Sequence, residues 1–238
     1  MLLKNKTAVI TGGGRGIGRS IAIHFANEGA NVALIARSKE QINFVAEHIR
    51  SIGRESFAVQ ADISQESDVN LAFDDIQNDL GPVDILVNNA GIEFKTPFTE
   101  MSMDEWDQTM AVNTRGTVLC TRAVLPDMMK RKNGNIINIA SGAGLRGLPG
   151  SSAYGASKAA VIALSHSLAD EISDQGVRVN VICPGLIETD MLDSSQQPEK
   201  NQNILQPSDV AGTAVFIASN LSGNTTGQVF NVRNSNRW

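Results

Sequence analysis

Short apolar runs rich in β-branched residues alternate with long helical patterns along the whole chain, and this alternation restricts the possible folds most. The runs predict seven strands, at Thr7–Thr11, Asn31–Ala36, Ser56–Gln60, Ile85–Asn88, Ile136–Ile139, Val177–Ile182 and Gln228–Val232. The segments between them predict helices at about Gly16–Glu28, Lys39–Ile52, Glu66–Leu80, Ser102–Lys130, Ser151–Gln175 and Ser208–Ser219. Strands that alternate with helices are typical of βαβ units. We therefore predict an α/β fold, a doubly wound, seven-stranded parallel sheet with helices on both faces.

The size and charge of the chain limit its organisation and its partners. With 238 residues, 42% of them apolar, the chain is predicted to form one domain, residues 1–238. The net charge of −5 comes without a block of like charge, which argues against a nucleic-acid or membrane-surface partner. The longest apolar runs are much shorter than the roughly 20 residues that span a bilayer. We expect the partners to be small molecules or copies of the chain itself.

The start of the chain and its two cysteines predict the compartment. The first residues lack the apolar core of a signal peptide and lead directly into a predicted strand. Cys120 and Cys183 show neither a disulfide framework nor a metal-ligand spacing. We therefore expect a cytoplasmic protein without a bound metal.

A glycine-rich loop, TGGGRGIG at Thr11–Gly18, joins the first predicted strand to the first predicted helix. Glycines let the backbone approach a pyrophosphate closely, and the helix N-terminus offers unpaired N–H groups to it. This context predicts a Rossmann-type dinucleotide site. Its spacing, G-x-x-x-G-x-G, differs from the common G-x-G-x-x-G. The residues predicted to bind the cofactor here are Gly12, Gly14, Arg15, Gly16, Ile17 and Gly18.

The end of the second predicted strand indicates which nicotinamide cofactor is used. NAD-binding folds place an acidic residue there for the ribose 2′-hydroxyl, whereas an arginine accommodates a 2′-phosphate. This chain has Ala36 and Arg37 at that point and no carboxylate. Arg15 in the glycine loop adds a second cation, and guanidinium groups bind phosphate well. We predict NADP(H).

The only tyrosine, Tyr154, stands four residues before Lys158 in SAYGASK. Residues at i and i+4 share a helix face, so the phenol and the ammonium are predicted to be neighbours. Taken alone, such a pair is equally compatible with an ordinary surface contact. The other motifs of the chain are needed to separate the two interpretations.

In order and spacing over nearly its whole length, the chain resembles the short-chain dehydrogenases/reductases, through TGGGRGIG, QADIS, NNAG, AVNTRG, INIASG, YGASK and CPGLIETDM. The resemblance implies a catalytic set of Asn113, Ser141, Tyr154 and Lys158. It further implies cofactor contacts from Tyr154 and Lys158 themselves and from Ala61, Asp62, Ile63, Asn89, Ala90, Gly91, Pro184, Gly185, Ile187 and Thr189.

The resemblance also assigns roles in reducing a carbonyl. Tyr154 donates the proton to the alkoxide, Ser141 hydrogen-bonds the substrate oxygen, and Asn113 holds a water that links Lys158 to solvent. Lys158 also binds the nicotinamide ribose. Because a nearby cation favours a phenolate, we expect Lys158 to bring the phenol pKa from about 10 to between about 7 and 9.

Two other functions stay open at the level of sequence. An extended sugar epimerase or dehydratase shares the fold and the Tyr-Lys pair. However, the phosphate-binding loop of those enzymes resembles G-x-x-G-x-x-G, and they need a larger C-terminal substrate region. A non-catalytic dinucleotide-binding regulator needs no proton donor. We therefore expect an NADP(H)-dependent oxidoreductase that transfers a hydride between the nicotinamide and a carbonyl or secondary alcohol.

The substrate, the lid and the assembly are further expectations. The nearest resemblance is to 3-oxoacyl-[acyl-carrier-protein] reductases, so a small carbonyl compound or an acyl thioester is the expected substrate. Lys130, Arg131 and Lys132 are candidates for docking a carrier protein, opposed by acidic residues at 170, 171 and 174. The polar segment 188–207 is a candidate substrate lid.

The resemblance implies a homotetramer or homodimer built on long helices. We predict a homotetramer, with Trp238 packed against another subunit and small residues of the Ser151–Gln175 helix in the interface, although these also suit packing on the sheet.

Overall fold

Seven strands form one parallel sheet, as predicted. The structure, a computed structural model, describes residues 1–189 and 204–234. The strands are β1 (Thr7–Thr11), β2 (Asn31–Ala36), β3 (Ser56–Gln60), β4 (Ile85–Asn88), β5 (Gly134–Ile139), β6 (Val177–Pro184) and β7 (Val229–Val232). Their order across the sheet is β3-β2-β1-β4-β5-β6-β7, and every neighbouring pair is parallel.

Helices cover both faces of this sheet. They are α1 (Gly16–Asn27), α2 (Lys39–Ser51), α3 (Glu66–Leu80), α4 (Met103–Met110), α5 (Gly116–Arg131), α6 (Ala143–Arg146), α7 (Ser152–Glu171) and α8 (Pro207–Ala218). One apolar core joins the sheet to α1, α2 and α8, and a second joins its other face to α3, α5 and the end of α7. Both faces of the strands are therefore buried, which explains why the strands are continuous apolar runs.

The helix predicted over Ser102–Lys130 differs in the structure. A π-helical turn, Ala111–Arg115, separates α4 from α5. Such turns insert one extra residue per turn and are frequent at functional sites. The short helix α6 was not predicted, because four residues with two glycines beside them carry no helical periodicity.

The strand order reverses direction between β1 and β4, which pair directly through Ala8 with Ile85 and Ile10 with Val87. Ligands of open α/β sheets bind beyond the carboxyl ends of the strands at this switch point. The fold therefore places the glycine loop after β1 beside the NNAG segment after β4.

The basic residues considered for carrier docking lie at the other edge of the sheet. α5 ends at Arg131, just before β5 begins at Gly134, so Lys130, Arg131 and Lys132 lie at the amino edge. β5 is six residues long, and about 20 Å of strand separates them from the carboxyl edge. Arg131 is also paired with Asp84 at 3.1 Å and with Asp127 at 2.7 Å. These residues therefore do not line the cleft edge of the sheet, and their candidate role in docking a carrier protein stays a prediction.

The predicted lid, 188–207, lies mostly outside the described residues, as does Trp238. The described ends of the lid segment are held together, since Glu188 N–H donates to the Leu205 carbonyl at 2.9 Å. No helix within 1–189 or 204–234 is both long and apolar enough to cross a membrane.

Candidate active site

A cleft of about 560 Å³ opens where the carboxyl ends of the strands meet. Every segment that follows one of the strands β1 to β6 contributes to its lining. The predicted site residues that line it are Gly12, Gly14, Arg15, Gly16, Ile17, Arg37, Ala61, Asp62, Ile63, Asn89, Ala90, Gly91, Ser141, Tyr154, Lys158, Pro184, Gly185, Ile187 and Thr189. Two predicted site residues, Gly18 and Asn113, do not line the cleft. Both lie behind its wall, in positions described below.

The glycine loop is shaped by two requirements. Gly12 and Gly16 have φ values of +65° and +51°, a region that residues with a side chain rarely adopt. Gly18 lies in the first turn of α1, where an added Cβ would come within 2.5 Å of Asn89 Nδ2 and closer still to the Gly12 carbonyl oxygen. Gly12 and Gly16 therefore shape the cleft, whereas Gly18 lets α1 pack against the loop and the NNAG segment.

Thr11 and Asn89 join the glycine loop to the end of β4. The buried Thr11 hydroxyl accepts from the N–H groups of Asn89 and Ala90 at 3.0 and 3.1 Å. Asn89 Nδ2 donates back to the carbonyls of Thr11 and Gly12 at 2.9 and 3.2 Å. These four contacts hold the two sides of the switch point in one arrangement, so the cleft is largely preformed.

The end of β2 presents Arg37 and Ser38 to the cleft. Ser38 is the N-cap of α2, yet its hydroxyl makes no capping hydrogen bond. No acidic side chain follows Ala36 until Glu40, and Glu40 does not line the cleft. In the segment after the neighbouring strand β3, Asp62 lines the cleft, and its Oδ1 accepts from the Ser64 N–H and hydroxyl.

Tyr154 and Lys158 lie on one face of α7, as their spacing predicts. Lys158 Nζ is 5.7 Å from the centroid of the Tyr154 ring and donates to the Ile139 carbonyl at 2.8 Å. Ser141 lines the same cleft, and its side chain acts to lower the pKa of the Tyr154 phenol, against the larger opposing effect of burial. An added Cβ on Gly91 would come within 3.3 Å of Lys158 Nζ, so a side chain at that position would crowd the ammonium. The three groups therefore converge on one point of the cleft wall.

The protonation states of this pair differ from our expectation. Burial raises the pKa of Tyr154 to about 12 and lowers the pKa of Lys158 to about 8. The prediction of a phenol that titrates between about 7 and 9 is wrong, because burial raises the pKa of Tyr154 by more than the Ser141 side chain lowers it. At neutral pH the phenol is therefore protonated and the lysine is largely an ammonium.

Comparison with known proteins identifies the family. A profile of the short chain dehydrogenase family matches residues 6–200. The chain belongs to the short chain dehydrogenase family. As a member of this family, it is an oxidoreductase.

Relatives of this short-chain dehydrogenase cover almost its whole length. It is 39% identical to a 3-oxoacyl-[acyl-carrier-protein] reductase FabG of Staphylococcus epidermidis, over 96% of this chain and 97% of the relative. It is 37% identical to (2S)-[(R)-hydroxy(phenyl)methyl]succinyl-CoA dehydrogenase subunit BbsD of Thauera aromatica, over 98% of this chain and 96% of the relative. A crystal structure of levodione reductase superposes with a TM-score of 0.92 at 29% identity, over 97% of each chain.

Asn113 of this short-chain dehydrogenase lies in the π-helical turn, with its side chain almost fully buried. Its Oδ1 accepts from Ile92 N–H at 2.8 Å, and its Nδ2 donates to the Ile92 carbonyl at 2.9 Å and to Ser157 Oγ at 3.0 Å. The side chain is thus committed to these partners. Its expected role in holding a water stays a prediction.

Sequence reasoning missed three charged residues that line the cleft, which are Glu93, Lys95 and Arg146. Glu93 follows the NNAG segment by two positions, lines the cleft and accepts a hydrogen bond from Ser151. A single acidic residue in an irregular connection has no periodicity or spacing that marks it. Its position is set by the tertiary contact between the connection after β4 and the start of α7.

Proposed function

We propose that this short-chain dehydrogenase reduces a ketone to a secondary alcohol with NADPH. The observation that carries the proposal is the convergence of Ser141, Tyr154 and Lys158 in the same cleft as the glycine loop. A dinucleotide-binding regulator would need the loop but no such convergence. The extended sugar epimerases and dehydratases are disfavoured because the family match and the relatives cover nearly all of this chain.

The side chains in the cleft suit the proton half of this reaction. The nicotinamide, when bound, supplies the hydride. Ser141 stabilises the negative charge that develops on the substrate oxygen, as donors in oxyanion holes do. Tyr154, protonated at neutral pH, gives its proton to that oxygen. The Lys158 ammonium stabilises the phenolate that remains, and this charge compensates for the burial that otherwise disfavours it.

The residues after β2 fit NADP(H) better than NAD(H). Arg37 offers a guanidinium group. The hydroxyl of the next residue, Ser38, makes no capping hydrogen bond to α2 and offers a further donor. A 2′-phosphate needs such donors, whereas a free ribose hydroxyl is normally bound by a carboxylate. Within the described lining of the cleft, no carboxylate follows β2.

The expected substrate is a carbonyl compound or an acyl thioester with a 3-oxo group. The names of two relatives refer to acyl thioesters, one on a carrier protein and one on coenzyme A, while levodione reductase acts by its name on levodione. A carrier protein would have to approach the carboxyl edge of the sheet. The cations that line the cleft on that side include Lys95 and Arg146.

The proposal is tested by following NADPH and NADH absorbance with a panel of ketones and thioesters. Tyr154→Phe should lower kcat by about 10² to 10⁴ because acid catalysis is lost, with NADPH binding nearly unchanged. Arg37→Asp should reverse the preference for NADPH, because a charged hydrogen bond contributes about 1.5 to 3 kcal/mol. Arg122→Asp, an exposed change on α5, is the matched control. Full activity of Tyr154→Phe would refute the role of Tyr154 as proton donor. Equal kcat/KM for both cofactors in the unmodified enzyme would refute the preference for NADPH.

A further inference from the structure

Glu93 is held in the cleft wall through the backbone of the preceding residue and through its own side chain. The preceding residue, Ile92, has its N–H and its carbonyl bound by the Asn113 side chain at 2.8 and 2.9 Å. Glu93 Oε1 accepts from the hydroxyl of Ser151, a buried residue, at 2.7 Å. Thr96 N–H donates to the Gly150 carbonyl at 2.9 Å and attaches the same connection to the loop before α7. The Glu93 carboxylate is therefore preorganised.

This carboxylate belongs to the reacting end of the cleft. Glu93 follows Gly91 by two residues, and a Cβ on Gly91 would lie 3.3 Å from Lys158 Nζ. Its side chain is bound to Ser151, the N-cap of the helix that carries Tyr154 and Lys158, and its charge raises the pKa of both. A carboxylate has about four lone-pair positions, and the Ser151 hydroxyl uses one of them. Glu93 thus keeps acceptor capacity towards a ligand beside the proton donor.

We propose that Glu93 is a specificity-determining residue that accepts a hydrogen bond from a hydroxyl group adjacent to the substrate carbonyl. The inference rests on the proposed carbonyl reduction and narrows its substrate class to hydroxylated ketones. A hydroxyl group on the substrate can donate a hydrogen bond to the fixed Glu93 carboxylate. An aliphatic group at the same position cannot, and it would take water away from the carboxylate without replacing its hydrogen bonds. A hydrogen bond to a charged group corresponds to a factor of about 10 to 100 in affinity.

A purely structural role for Glu93 makes a different prediction. Ser151 is the N-cap of α7, and its own side chain makes no capping hydrogen bond. Glu93 would then merely fix the loop before α7 and so position Tyr154. If this structural role were the only one, a substitution of Glu93 would lower kcat/KM by the same factor for every substrate.

The test compares hydroxyacetone with butanone, two ketones of equal size that differ in a hydroxyl and a methyl group. The measured quantity is the ratio of their kcat/KM values with NADPH in the unmodified enzyme, Glu93→Leu and Glu93→Gln. Because a hydroxyl also changes the intrinsic reactivity of a ketone, the change in the ratio decides. The control is Glu100→Leu, in the same connection but exposed and outside the cleft lining.

We expect Glu93→Leu to lower the ratio of hydroxyacetone to butanone kcat/KM about tenfold or more. Glu93→Gln should give an intermediate ratio, and Glu100→Leu should leave the ratio unchanged. An unchanged ratio in Glu93→Leu, or an equal loss for both ketones, would overturn this inference alone. Turnover of an acetoacetyl thioester but of neither ketone would do the same. Absence of turnover with all three compounds in the unmodified enzyme would overturn the proposed function and this inference with it.

Discussion

Replacing Lys158 with methionine should make the protein more stable at neutral pH while it removes the function of the pair. The lysine is buried, and burial lowers its pKa from 10.5 to about 8. A displacement of about 2.5 pH units corresponds to roughly 3 kcal/mol of unfavourable free energy in the folded state. Methionine has a similar length and no charge, so it removes this cost.

One contact opposes the gain. Lys158 Nζ donates to the Ile139 carbonyl at 2.8 Å, and an unsatisfied buried acceptor costs about 1 to 3 kcal/mol. We therefore expect Lys158→Met to be more stable than the unmodified protein by about 1 kcal/mol at pH 7. The sign and the pH dependence are more informative than the net size.

The pH dependence follows from proton linkage. Between pH 8 and 10.5 the unfolded chain keeps a proton that the folded chain has released, so this lysine makes the unmodified protein more stable as the pH rises. From pH 7 to pH 9, its free energy of unfolding should rise by about 1.3 kcal/mol relative to the Met variant. The raised pKa values of Cys120, Cys183 and Tyr154 lower the stability as the pH passes their unfolded values of 9.0 to 10.0, but both proteins contain these groups, so the effect largely cancels in the difference.

Urea unfolding of both proteins at pH 7, 8 and 9 measures the difference directly, with Lys130→Met on the exposed face of α5 as the control. The control should show no pH-dependent difference from the unmodified protein. A difference between Lys158→Met and the unmodified protein that stays constant from pH 7 to 9 would refute the reasoning. Retention of ketone reduction by the variant would refute the role assigned to the ammonium.

Two further predictions concern packing and assembly. Gly18→Ala should destabilise the protein by about 1 to 3 kcal/mol and weaken NADPH binding, because its Cβ would crowd Asn89. The same change at Gly212 in α8, where a Cβ meets open space, should instead stabilise by about 1 kcal/mol, and urea unfolding separates the two. The chain should sediment as a homotetramer, and Ala159→Glu on the exposed face of α7 should dissociate it. A monomer in the unmodified protein at micromolar concentration would contradict this prediction.

Strand and helix positions could be predicted because their signals are local. β1 to β4 begin and end at the predicted residues, since each is a short run rich in apolar and β-branched residues. The π-helical turn at Ala111–Arg115 could not be predicted in this way. It is inserted in an otherwise continuous helical pattern, and its Asn113 is held by Ile92, a residue from another connection.

The sequence by itself determined the alternation of strands and helices, the glycines that a dinucleotide needs, and the spacing that puts Tyr154 and Lys158 on one helix face. The tertiary structure decided that Gly18 serves packing, that Lys130 lies at the edge away from the cleft, and that Glu93 lines the cleft. It also decided the pKa of the phenol, whose direction we predicted incorrectly. Spacing along a chain fixes which groups are neighbours within an element. Desolvation and contacts between elements depend on which residues the fold packs around those groups. A local sequence pattern contains no information about that packing.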